Sequence, residues 1–101
     1  MRVYISVPMK GRTDAEILNE RRKAIEIIKA DNPYEDIKVI DNFFREESRN
    51  DNPLWCLGES LKKLSTADLA FFGKGWKDAR GCRIEFASAI AYGIEFLIQY
   101  D

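Results

Sequence analysis

A chain of 101 residues is one small domain with a thin core. Its 16 Lys and Arg against 17 Asp and Glu leave a formal charge of −1, which argues against bulk phosphate neutralisation on nucleic acid or an anionic membrane surface. With no His, acid–base chemistry near neutral pH falls to carboxylates, Tyr, Cys or Lys, and zinc has only Cys56 and Cys82 as soft ligands. The two cysteines form no CxxC and read as reduced, packing thiols of a cytoplasmic protein. No apolar run approaches the ~20 residues of a membrane span.

Residues 2–7 are β-branched and aromatic and predict a first strand. Pro8-Met9-Lys10-Gly11 breaks it into a loop. Thr13 and Glu16 form a capping box, opening a helix to about Ala30 with an apolar stripe of Ile17, Leu18, Ala24, Ile25 and Ile28. Residues 37–41 predict a second strand, and residues 42–53 a polar loop at its carboxyl end. Phe43 and Phe44 in that loop either plug the core or line a pocket. Residues 54–66 predict a second helix with Leu54, Leu57, Leu61 and Leu64 on one side. Residues 68–72, apolar on both faces, read as a buried parallel strand, with Asp68 fixing its junction. After the loop 73–79, residues 80–92 predict a third helix, with Asp78 placed to cap it and Gly93 to end it. Residues 94–98 predict the last strand. Trp55 and Tyr92 read as packing residues.

Strands alternating with helices predict an α/β fold: an open parallel sheet of about four to five strands with helices on both faces, flavodoxin- or Rossmann-like. Ligands of such folds sit at the carboxyl ends of the strands, where strand order reverses. That gathers the loop after strand one, the loop after strand three and the start of helix three.

The first loop is neither GxGxxG nor a P-loop. It is either a simple turn or, through Ser6, the amides near Gly11, and Lys10 or Arg12, a phosphate holder. Glu85 stands out. It lies about one turn inside helix three, where the helix's positive end and nearby Arg80 and Arg83 favour its ionised form. It is either an ordinary salt-bridge partner or a carboxylate facing the crevice, able to attack an anomeric carbon or stabilise an oxocarbenium ion. Tyr4 either packs in the core or points its hydroxyl at the crevice. Trp76 either stacks on a base or closes its loop onto the sheet. Asp41, ending strand two, is placed to bind a sugar hydroxyl.

Two motifs, Tyr4-Ile5-Ser6-x-Pro8-Met9-x-Gly11 and Gly75-Trp76-x-x-Ala79-Arg80-Gly81-x-x-x-Glu85, resemble those of small bacterial and phage proteins of the nucleoside 2-deoxyribosyltransferase-like family. The resemblance spans nearly the whole chain. It implies an open parallel α/β sheet and N-glycosidic chemistry, as transferase or as N-glycosidase hydrolase, on a nucleoside or nucleotide. Glu85 then matches the nucleophile and Tyr4 the tyrosine beside it. Residues 6–11 (Ser6, Pro8, Met9, Lys10 and Gly11 among them), Arg12, Gly75, Trp76, Arg80 and Gly81 belong to the substrate site. The resemblance implies no cofactor and a homodimer or higher homo-oligomer. The chain departs from the pattern at Val7, where the family carries glycine, and at Ser60, where it carries an aspartate that handles the base. Those departures favour a second reading, a protein that binds a nucleotide or an ADP-ribose derivative without turning it over.

Overall fold

The structure is a computed structural model that describes residues 1–99, with only the backbone of Glu46. Four strands, β1 (Arg2–Ser6), β2 (Lys38–Val39), β3 (Leu69–Phe72) and β4 (Glu95–Ile98), form one all-parallel sheet in the order β2-β1-β3-β4. Four helices connect them: α1 (Asp14–Asp31), α2 (Glu46–Asp51), α3 (Pro53–Leu64) and α4 (Arg80–Ala91). This is the expected α/β architecture. The order reverses between β1 and β3, where Val3 pairs with Leu69 and Ser6 with Phe72.

Side-chain alternation along the central strands divides the core into two layers. Val3, Ile5, Leu69 and Phe71 pack against Ile17, Ala24 and Ile28 of α1. Tyr4, Ala70 and Phe72 face the other way, against Leu64 of α3 and Cys82 and Ala89 of α4. Each large apolar side chain so buried contributes ~1.5–3 kcal/mol relative to exposure.

Several boundaries follow local chemistry. Thr13 and Glu16 exchange both capping-box hydrogen bonds, at 3.1 and 2.9 Å. Asp68 Oδ2 accepts from the Arg2 amide at 2.8 Å, tying the entrance of β3 to β1. Gly93, at φ +71°, closes α4: its N–H donates to Ile90, and that of Ile94 to Ala89.

Other expectations are corrected. The polar stretch 42–53 is not all loop but contains the six-residue α2. Arg49 holds it in place, donating to Asp14 Oδ1 at 2.8 Å and to the Phe44 and Arg12 carbonyls. The second strand shrinks to two residues. On α3 the buried stripe is Cys56, Ser60 and Leu64, while Leu54 is exposed. On α1, Leu18 is exposed and Arg21 takes a buried place in the stripe. Tyr92 lies in solvent rather than packed, and Trp55 is half-exposed, its ring edge-on to Phe44 at 6.1 Å. Asp78 belongs to a single 3₁₀ turn, and Ala79 precedes α4 without a side-chain cap.

Candidate functional site

The strand order reverses between β1 and β3, the usual ligand position of such sheets, and three elements and the segment after β2 gather polar groups there. β1 supplies Tyr4 and Ser6, α3 supplies Ser60, and α4 supplies Cys82 and Glu85. Asn42, just past β2, completes the group. All six are buried. The helical members sit there because of spacing. Cys82, Glu85 and Ala89 recur at three- and four-residue intervals, so Glu85 falls on the core-facing stripe of α4. Ser60 holds the matching place on α3.

Glu85 is 7% exposed, and its Oε2 has no hydrogen-bond partner. Burial pushes its carboxyl up to about 7, against the opposing pull of the Tyr4 and Ser6 hydroxyls. The ionised form expected from the helix terminus and the arginines is therefore corrected. Arg80 and Arg83 are exposed, and Arg83 Nη1 instead donates to the Lys77 carbonyl at 3.0 Å. The helix-end field, ~0.3–1 kcal/mol at an exposed site, is overcome by desolvation. No Lys or Arg forms a salt bridge with Glu85 among the described residues.

The neighbours of Glu85 are held uncharged. Burial, then the charge of Glu85, raises the Tyr4 phenol well above its usual range, while Ser60 and Asn42 beside it act in the opposite direction. Burial pushes the Cys82 thiol up to about 12, so it is no thiolate nucleophile near neutral pH. Ser6 Oγ, like Glu85 Oε2, is buried and unpartnered. Two adjacent side chains thus keep hydrogen-bonding capacity unused, each at a cost of ~1–3 kcal/mol.

The remaining expected residues form a rim or lie apart. Pro8, Arg12 and Gly75 meet: a Cβ on Gly75 would stand 3.6 Å from Pro8 Cγ and 3.7 Å from Arg12 Nη2. Gly75 takes φ +81°, a conformation that favours glycine. Arg12 also lines an open groove of about 380 Å³ with Glu16, Asn19, Glu20 and Lys74. Met9 packs on the α1 side of the core. Lys10, Gly11 and Arg80 are exposed. Asp41 is exposed, its Oδ1 accepting from the Phe43 amide at 3.3 Å. Trp76 is buried with its ring stacked on Phe86 at 4.3 Å, the loop-closing alternative of its two readings. Gly81 lies one turn before Glu85, beside the carboxylate.

Two residues of this neighbourhood escape a reading for site chemistry. Asn42 lies in a stretch whose polarity resembles an ordinary loop. Arg21 lies on a helix rich in exposed charge. Its signal is position, four residues after Ile17 and seven before Ile28, on the apolar stripe.

Among the described residues no three His, Cys, Asp or Glu side chains are grouped to hold a metal ion, and no helix is long and apolar enough to cross a membrane. Set against protein-family models, curated proteins and solved structures, the chain matches none of them.

Proposed function

We propose that the protein acts on the N-glycosidic bond of a nucleoside or nucleotide, with Glu85 at the anomeric carbon. The observation that carries this reading is the buried Glu85 carboxylate, with one oxygen unpaired beside the unpaired hydroxyl of Ser6 and next to Tyr4. Structural carboxylates are paired or exposed; one kept buried and unpaired at a strand-order reversal is a candidate for chemistry. As sugar-to-base bonding weakens, positive charge develops at the anomeric carbon. An adjacent carboxylate stabilises that charge or attacks it, and water or an acceptor base completes hydrolysis or transfer. The developing cation favours the ionised form of Glu85, offsetting the burial that raises its pKa. Tyr4 orients the carboxylate, while Ser6 offers its hydroxyl to the sugar. Pro8, Arg12 and Gly75 edge the approach, and Arg12 is the rim cation offered to a 5′-phosphate. A homodimer fits the exposed Leu54, Trp55 and Ile84 on α3 and α4.

One observation favours a second reading, binding without turnover. The α3 position that faces Tyr4 carries Ser60, not a carboxylic acid. A serine hydroxyl is a poor proton donor to a departing base, and general acid help is worth ~10²- to 10⁴-fold. The test is chromatography of 2′-deoxynucleosides, their 5′-monophosphates and NAD after incubation with the protein and with Glu85→Ala. Free base from the wild type alone supports glycosidic cleavage. Absence of base with a ligand-dependent rise in melting temperature supports binding. Neither effect from any member of the panel overturns both.

A further inference from the structure

Arg21 is a buried cation for which the described residues provide no salt bridge. It crosses from α1 to the end of the sheet. Its Nη1 donates to Asn42 Oδ1 at 2.6 Å and to the Ile5 carbonyl at 3.4 Å, and its Nη2 to the Ile40 carbonyl at 3.4 Å. Asn42 Nδ2 in turn donates to the Ile5 carbonyl at 2.9 Å. The guanidinium and the carbonyl thereby fix both ends of the Asn42 amide. Asn42 borders the Tyr4 hydroxyl, and Tyr4 borders Glu85.

We infer that Arg21 and Asn42 are positioning residues, a buried brace that holds the Tyr4 hydroxyl in the orientation that donates to Glu85. Asn42 and Ser60 lie beside the Tyr4 hydroxyl, and donation from either to its oxygen would leave the Tyr4 proton for the carboxylate. An arginine suits the task because its planar fork bonds several acceptors at once. The purpose of the brace rests on the proposed role of Glu85, but its existence does not.

The groups facing the pair are few. Glu85 meets Tyr4 and Ser6 from β1, with Cys82 on its own helix. Tyr4 meets Ser60 from α3 and Asn42 from the segment after β2. Arg21 feels Asp41 and Tyr4, and Arg12 acts on Cys82.

The experiment is a carbon-detected NMR titration of the Glu85 carboxyl in the ligand-free protein, for wild type, Asn42→Ala, Tyr4→Phe and the double variant. Freeing Tyr4 weakens its donation, so Asn42→Ala raises the Glu85 midpoint by about half a pH unit or more, about threefold in proton affinity. In the Tyr4→Phe background the same substitution moves it far less, the signature of coupling through Tyr4. An equal shift in both backgrounds, or none in either, overturns the inference. Should Asn42→Ala not fold, Arg21→Met with Asn42→Leu removes both partners of the buried pair together and is titrated in its place. The unaltered protein gives a further check: a slowly exchanging Tyr4 hydroxyl proton with a cross-peak to the Asn42 amide supports the brace, and a freely exchanging one overturns it. A brace found in a protein that releases no base and binds no nucleotide leaves this inference standing and the functional reading overturned.

Discussion

Glu85 folds back along α4 so that its Oε1 lies 3.9 Å from where a Cβ on Gly81 would stand. That is ordinary contact distance, so a methyl group fits without moving the carboxylate. Glycine in a helix costs ~0.5–1 kcal/mol relative to alanine. Gly81→Ala is therefore expected to raise the melting temperature by a few degrees. A thermal melt checks it, and a lower melting temperature would mean that the space beside Glu85 is not free.

Gly73 presents the opposite case. A Cβ there would stand 2.7 Å from Val7 Cγ1, in a buried place where the valine cannot swing aside. Gly73→Ala is expected to cost ~1–3 kcal/mol. Val7→Ala removes the obstructing methyl groups, so the double variant should lose less than the two single losses added. Urea denaturation of the four proteins reads this coupling directly.

Glu85 also makes stability depend on pH. Its carboxyl titrates at about 7 when folded against 4.5 for the ordinary group. Between those values the folded protein keeps a proton that the unfolded chain has released. The contribution is full below 4.5, falls as pH rises through 7, and levels off above it, a loss of at most about 3 kcal/mol. Glu85→Gln cannot titrate, so its stability relative to wild type should rise between pH 5 and pH 8. Denaturation at those two pH values tests the sign, and a constant difference would contradict the burial of the charge.

Arg49 clasps α2 to the start of α1 through its ion pair with Asp14 and two carbonyls. Its side chain is 9% exposed while that of Asp14 is 42% exposed, so the backbone bonds matter more than the charge pair. Arg49→Ala is expected to speed amide hydrogen exchange at least tenfold across Glu46–Asp51, leaving β1 and β3 protected. Uniform acceleration would mean that the clasp supports the whole fold.

The sheet was legible because β1 and β3 carry apolar side chains on both faces, and the helices because Thr13, Glu16 and Gly93 mark their ends. The six-residue α2 was not, since Glu46–Asp51 has no apolar stripe and is held by Arg49 from a distance in sequence. Glu85 was legible as a carboxylate of interest, but not its proton affinity. That depends on which side of α4 meets the sheet, and the flanking arginines pointed the wrong way. Arg21 and Asn42 stayed hidden for the same reason: their role appears only once α1 and the segment after β2 meet over Ile5.

The central claim is that a nucleoside or nucleotide seats against Glu85. The most direct test is the Glu85 carboxyl resonance, followed while each 2′-deoxynucleoside and 5′-monophosphate is added near pH 7. A ligand that pairs the free Oε2 should shift that resonance and lower its midpoint, with the exposed glutamates unmoved. A ligand that binds while Glu85 keeps its shift and midpoint would contradict the account.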